Sequence, residues 1–313
     1  MTITADTAAN GPEHPARAMQ RTPRWTRPLS WLAGGFLLAE IALRASGAVS
    51  FPLYHADTRV GYIPQASQSG TFLLFSDYDF NEHHMTGGPL IDTPLRKVLV
   101  VGDSVVYGGN GYRRADRLGP VLQTLMPEAK VWTLAAGGWA IRNELGWLET
   151  HQDVVARMND VVVVINNTDF LTEAAIWRCE TMHPTHRPWL ATVYWARKVT
   201  KFDICDQGRA DLRIPDGDWQ APLRQWIART MAQGVRVHFV LYPGVADIQK
   251  DPAHATSATL AQLQATHPVH AVEVSRSPQW HSGLYSDAIH PNAQGNQVLA
   301  GVIRSALLTE AGR

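Results

Sequence analysis

Three side chains in this sequence could together activate a hydroxyl for attack on a carbonyl: Ser104, His290 and Asp287. A serine hydroxyl is a weak nucleophile until an adjacent base takes its proton. Ser104 ends the tripeptide Gly102-Asp103-Ser104, directly after the apolar run 98–101. Taken alone, Gly-Asp-Ser is also a common turn sequence. His290 follows Asp287 by three residues, close enough for the carboxylate to fix the imidazole tautomer and to stabilise the imidazolium formed during attack. The chain has 13 histidines, and most have ordinary readings. His83, His84, His183 and His186 fit surface loops, and His238 alternates with strand residues. His290 stands apart because of Asp287 and because a helix pattern follows it.

The elements that must position these residues form a regular series. Continuous apolar runs at 98–101 and 161–165, and apolar-rich stretches at 131–134, 235–241 and 269–274, read as strands. Helical spacing appears at 117–125, at 140–157 with a possible break, at 221–233, at 256–265 and at 291–308, the last with Pro291 in its first turn. Alternation of this kind predicts an α/β fold with a doubly wound, mostly parallel sheet flanked by helices. Ligands in such sheets bind beyond the carboxyl ends of the strands, so chemistry is expected just after 101, 134 and 165. Residues 49–95, rich in turn formers, read as a lead-in of loops and short strands. Residues 171–220 interrupt the alternation and read as an insertion within a domain spanning 96–313.

Composition narrows the function. Lysine and arginine total 28 against 28 acidic residues, which leaves no electrostatic footprint for nucleic acid. No phosphate-binding glycine loop and no His-Glu-x-x-His is present, so no cofactor and no metal is expected. The two cysteines, Cys179 and Cys205, are too few for a disulfide scaffold. One disulfide in an oxidising compartment and two free thiols both remain open. The tryptophans Trp177, Trp189, Trp195, Trp219 and Trp226 suit either core packing or the stacking of sugar rings.

Residues 1–28 read as a disordered basic tail. Arg17, Arg21, Arg24 and Arg27 then precede an apolar run at 29–43 that includes Glu40, with Arg44 just beyond it. Three readings compete: a signal-anchor or transmembrane helix at 29–48, a cleaved signal peptide, and an amphipathic helix packed on a cytoplasmic domain. The first predicts an inner-membrane anchor with the catalytic domain in the periplasm, since basic residues hold their end in the cytoplasm. The others predict a secreted or a cytoplasmic protein.

Together, Gly102-Asp103-Ser104 after the first strand and Asp287-Ala-Ile-His290 before the last helix resemble two of the four sequence blocks of the SGNH hydrolases, also called GDSL esterases. The second block, a glycine after the second strand, is best matched by Gly138. The resemblance covers roughly residues 95–308 and implies a doubly wound α/β fold and a Ser104, His290, Asp287 triad. It also implies an oxyanion hole built from the N–H groups of Ser104 and Gly138 and an Asn side chain of the third block, Gly-x-Asn-Asp. Here that block departs from the pattern. Asn166 stands in place of the glycine and Thr168 in place of the Asn, with Asn167 one position early. The third donor is therefore Asn167 or Thr168, with Asn167 preferred because an amide offers two donors. The implied activity is a serine esterase or O-acyltransferase that acts on acyl esters, above all acetyl esters, of a carbohydrate or lipid. A non-catalytic, glycan-binding accessory protein of a polysaccharide export or modification system is the alternative.

Overall fold

The computed structural model describes residues 26–311 apart from 110, 171–172, 204, 206–207, 215, 268 and 270. The basic tail therefore lies, up to residue 25, outside the described residues. A helix, α1 (Thr26–Ala45), opens the described chain. Two antiparallel hairpins follow, β1 (Tyr54–Asp57) with β2 (Gly61–Pro64) and β3 (Gln68–Phe72) with β4 (Ser76–Phe80).

All five expected strands then form: β5 (Arg96–Gly102), β6 (Ala129–Ala135), β7 (Asp160–Asn166), β8 (Arg236–Tyr242) and β9 (Ala271–Glu273). They make one parallel sheet in the order β6-β5-β7-β8-β9, which puts β5 and β7 side by side near its centre. Alternate residues of each strand face opposite sides of a sheet. Here Leu99, Val101, Val161, Val163 and Phe239 enter one apolar core, and Val98, Val100, Val162, Val164 and Val240 enter the other.

The short helix α2 (Ser104–Tyr107) leaves β5, and α3 (Leu118–Leu125) precedes β6. The helix expected at 140–157 is broken at His151 into α4 (Ile141–Thr150) and α5 (Gln152–Val155). Next come α6 (Ala191–Thr200), α7 (Gln220–Ala232), α8 (Val245–Lys250), α9 (Ser257–Thr266) and α10 (Ala293–Ala311). Leu118, Leu122, Leu299 and Ile303 bring α3 and α10 onto one face of the sheet, while Ile141, Leu145, Trp226 and Leu263 bring α4, α7 and α9 onto the other. The sheet is thus covered on both sides, as an all-parallel sheet requires.

Two readings of the sequence are resolved by packing. Cys179 and Cys205 form a disulfide, their Cα atoms 5.3 Å apart. Trp177, Trp219 and Trp226 are buried, and Trp195 packs against a small apolar cluster; Trp189 alone of the five is exposed. A third reading is corrected. The segment expected to cross a membrane at 29–48 is helical over Thr26–Ala45, yet no helix among the described residues is long and apolar enough to cross a membrane. The reason lies in its last turns. The Glu40 carboxylate accepts hydrogen bonds from the N–H groups of Ala191 and Thr192 and from Arg44 Nε, so these turns are part of the folded domain.

One buried ion cluster stitches together the amino-terminal ends of β5, β7 and β8. Asp160 is fully buried and accepts from Arg96 Nε at 2.6 Å, Arg236 Nε at 2.7 Å and His238 Nε2 at 2.9 Å. Burial pushes this carboxyl up, but the bonds from Arg96, His238 and Arg236 outweigh burial and hold it well below the usual carboxylate range. Removing one partner of such a cluster leaves buried charge uncompensated. Asp160→Ala is therefore expected to lower the unfolding free energy by about 3–5 kcal/mol in urea titration. Folding favours the ionised form, so this contribution is complete above the ordinary carboxylate range and is lost as the pH falls below it.

Candidate active site

Ser104 is half-buried and opens α2 at the carboxyl end of β5. The chain turns there from strand to helix within two residues. A Cβ at Gly102 would stand 2.5 Å from Val106 Cγ2 and 3.1 Å from the Val164 carbonyl oxygen, so the turn needs glycine. Asp103 caps the new helix by accepting from the Val105 N–H at 2.8 Å. Its other oxygen, Oδ2, accepts from Asn166 Nδ2 at 2.9 Å and from the Ser104 hydroxyl at 3.4 Å. One buried carboxyl thus ties the end of β5 to the end of β7.

His290 lies on the loop before α10. Three bonds fix that loop to the same edge of the sheet. Tyr242 Oη at the end of β8 donates to the Ile289 carbonyl at 2.7 Å, the Val245 N–H donates to the Ala288 carbonyl at 3.0 Å, and Tyr112 Oη donates to the Pro291 carbonyl at 2.5 Å. Asp287 holds the ring. Its Oδ2 meets His290 Nδ1 at 2.7 Å, while Oδ1 accepts from the N–H groups of Ile289 and His290. Burial pushes Asp287 up, but these donors outweigh it and hold its pKa at about 2. The bond places the proton on Nδ1 and leaves Nε2, which has no partner among the described residues, as the basic nitrogen. No hydrogen bond joins Ser104 and His290 in this state. His290 is nevertheless near enough for its charge to act on the Asp103 carboxyl.

Gly138 follows β6 with φ of +75°, a conformation that favours glycine. The residue is exposed, and its N–H meets no acceptor among the described residues. The turn around it is clamped from both sides. Tyr62 Oη donates to the Gly137 carbonyl, and Trp139 Nε1 donates to the Tyr62 carbonyl at 2.8 Å. The Tyr62 ring stacks on His183 with centroids 3.8 Å apart, where burial and the charge of Arg178 hold the imidazole down at about 4 and hence neutral at pH 7. Asn143 is fully buried. It accepts from the N–H groups of Ala140 and Ala175 and donates to the carbonyls of Val60 and Ala175, which uses both of its donors. Sequence reasoning missed Tyr62, Asn143 and His183, since their role arises from contacts far apart in the chain.

The third block is arranged differently from the expectation. Asn167 Nδ2 donates to Asp247 Oδ2 at 2.7 Å and to the Ala255 carbonyl at 2.9 Å, so both of its protons are committed toward α8 and α9. The Thr168 hydroxyl donates to Asn166 Oδ1 at 2.6 Å. The amide held beside Asp103 belongs to Asn166, whose Nδ2 spends one proton on Asp103 and keeps the other. A polar residue at the end of a buried strand, immediately after 161–165, was the available signal.

Two more carboxyls lie buried behind this edge. Asp169 accepts from the Asn166 N–H at 2.7 Å, and burial, then Asp103 and Glu144, push it well above the usual range. Glu144, on α4, is fully buried with neither carboxyl oxygen hydrogen-bonded among the described residues, and burial, then Asp103, push it well up too. Asp103 is raised less, because the Val105 N–H, the charge of His290 and the Ser104 hydroxyl offset its burial. Charge in this group therefore belongs on Asp103. Among the described residues no cluster of His, Cys, Asp and Glu has the arrangement of a metal site.

No family model and no curated protein matches the chain. Among solved structures it is similar to a GDSL-like lipase from Bacteroides thetaiotaomicron, at 12% identity over 70% of this chain and 93% of that one, with a TM-score of 0.40. It is similar to a catalytic mutant of an acetylxylan esterase from Geobacillus stearothermophilus, at 15% identity over 68% and 94% with a TM-score of 0.39. A psychrotrophic esterase from Pseudoalteromonas sp. matches at 11% identity over 70% and 100% with a TM-score of 0.40. The chain resembles the SGNH hydrolases, but at these identities and scores the neighbours stand as likenesses only, and the chemistry rests on this chain's own residues.

A protonated, unbonded Glu144 has a testable signature. Folding disfavours its charged form, so its contribution to stability is complete at low pH and is lost as the pH rises past the ordinary glutamate value of 4.5. Glu144→Gln keeps the shape and removes the titration. Its melting temperature relative to the wild type is expected to rise steadily between about pH 5 and 9. A constant difference across that range would show that Glu144 is not held protonated.

Proposed function

We propose that the protein is a serine-dependent ester hydrolase or O-acyltransferase, with Ser104 as nucleophile, His290 as base and Asp287 as the residue that orients the base. The observation that carries this reading is the 2.7 Å bond between Asp287 and His290 Nδ1, which leaves Nε2 basic on the sheet edge that also presents Ser104. In the proposed reaction Nε2 takes the Ser104 proton as Oγ bonds to the ester carbonyl carbon. The tetrahedral oxyanion is held by the N–H groups of Ser104 and Gly138 and by the second Nδ2 proton of Asn166. Collapse breaks the bond to the alcohol oxygen, which leaves with the proton from His290. Water or an acceptor hydroxyl then attacks the acyl-enzyme by the same proton path; water gives hydrolysis and an alcohol gives transfer.

The proposed substrate is an acyl ester of a carbohydrate or lipid, with acetyl foremost. The buried tryptophans lend no support to sugar stacking, so the acyl group and not the sugar defines the class. We place the domain in the periplasm, tethered at its amino terminus to the inner membrane. The Cys179–Cys205 disulfide supports an oxidising compartment.

The full-length chain should release 4-nitrophenol from 4-nitrophenyl acetate, and a phosphonate probe should add its mass at Ser104. Wild-type turnover no greater than that of Ser104→Ala would refute the enzymatic reading. Loss of one oxyanion donor typically costs a factor of about 10²–10³ in kcat. That loss is expected for Asn166→Ala with little change in KM, whereas Asn167→Ala should lower thermal stability and leave kcat within about threefold, since its bonds run to Asp247 and Ala255. The reverse pattern would return the donor to position 167.

A further inference from the structure

The first half of α1 has no partner in the fold. Residues 28–39 are all exposed, and Glu40 is the first buried position. At 100° per residue, Leu29, Leu32 and Phe36 lie on one side of the helix, Trp31 and Leu38 on the opposite side, and Leu37 and Ile41 between them. Apolar residues therefore surround the helix, whereas a helix docked in a protein groove needs only one apolar stripe. A Cβ at Gly34 or Gly35 would meet nothing within 4 Å.

The base of α1 is ringed by two further apolar projections. Arg44 Nη2 donates to the Trp189 carbonyl at 2.6 Å, and Trp189 stands 94% exposed just before α6. On another side, the Leu73 N–H donates to the Gly47 carbonyl at 3.2 Å, which brings up the β3–β4 turn with Leu74 70% exposed and Phe75 41% exposed. Leu73 and Leu74 both hold positive φ, of 51° and 64°, conformations that L residues adopt only when the surroundings require it. Lys198 Nζ lies over the Tyr194 and Trp195 rings, and Trp195 Nε1 donates to the Ala48 carbonyl at 3.1 Å, which brings a cation beside the end of α1.

We infer that α1, the Trp189 corner of α6 and the Leu74–Phe75 turn form one docking surface for a lipid bilayer with anionic head groups. The free part of α1 enters the hydrocarbon, and the ring of Trp189, Leu74 and Phe75 rests at head-group level. Hydrocarbon covers a helix on all sides, as this one requires. Exposed tryptophan and lysine are the residues that settle at the lipid–water boundary. Twelve residues of helix project about 18 Å, less than the roughly 30 Å hydrocarbon core, so the described helix reaches into one leaflet without crossing both. This inference rests on the proposed membrane tether, which it deepens, and is independent of the ester chemistry.

Both native cysteines are joined in the disulfide, so a new cysteine can be labelled selectively. In the full-length chain, Leu74→Cys, Trp189→Cys and the exposed control Thr124→Cys would each carry a nitrobenzoxadiazole dye. With vesicles of phosphatidylcholine and phosphatidylglycerol, emission at 74 and 189 should shift to the blue and rise severalfold, and brominated lipid should quench it, with no change at 124. Failure to float with the vesicles would overturn the inference. So would flotation with the dyes at 74 and 189 unaffected, which would make α1 a bare tether, or protection of those dyes by a protein dimer in the absence of lipid.

Discussion

The site depends on a carboxyl that is hard to bury. Asp103 sits where two central strands end, and its oxygens collect the Val105 N–H, the Asn166 amide and the Ser104 hydroxyl. A charged carboxylate at such a depth is unstable unless hydrogen bonds replace its water. Those donors are supplied by the start of α2 and the end of β7, so the group that needs them also sets their positions. The turn that presents Ser104 and the amide beside it therefore share one anchor. Asp169 and Glu144 lie behind with fewer donors, and their neutrality keeps further negative charge away from the place where an oxyanion would form.

The other half of the site reaches the same edge by a different route. The loop carrying Asp287 and His290 is nearly two hundred residues from Ser104 in sequence, and the parallel sheet makes them neighbours. The carboxyl ends of β5, β7 and β8 all open on one side, and Tyr242 and Val245, where β8 ends, hold the His290 loop there. The amino-terminal ends are closed by the opposite device, the Asp160 cluster, which joins the same three strands. One end is locked by ion pairing between fixed side chains. The other is held by hydrogen bonds from backbone and tyrosine, which leaves the imidazole Nε2 and the glycine N–H without partners among the described residues and the serine hydroxyl with only its long bond to Asp103.

Much of this was legible in the sequence, and the exceptions share a cause. The continuous apolar runs at 98–101 and 161–165 predicted central strands because burial on both faces needs apolar residues at every position, and the apolar-rich stretches at 131–134, 235–241 and 269–274 completed the set. Asp287 and His290 were legible as a pair because their contact is local. The amide that meets Asp103 after β7 was not, because successive side chains in extended backbone point in opposite directions. A step of one residue, from Asn166 to Asn167, turns an amide from the Asp103 side to the Asp247 side. No family pattern with a glycine at that position could reveal which amide faces Asp103. The amino-terminal helix misled in a related way. Its hydropathy was visible, but the capping of α6 by Glu40 joins residues about 150 positions apart.

The same reasoning assigns a role to segments that the sheet does not require. The N–H of Gly138 is useful to an oxyanion only if it cannot turn away, and a glycine turn has no stiffness of its own. Here the stiffness comes from outside the sheet. The β1–β2 hairpin contributes Tyr62 and the Val60 carbonyl, the insertion contributes Ala175 and His183, and Asn143 joins them to the first turn of α4 with every hydrogen-bonding position of its amide filled. Since Asn143 is fully buried, these partners have no water to replace them. The lead-in and the insertion are therefore the mould in which the glycine turn is set.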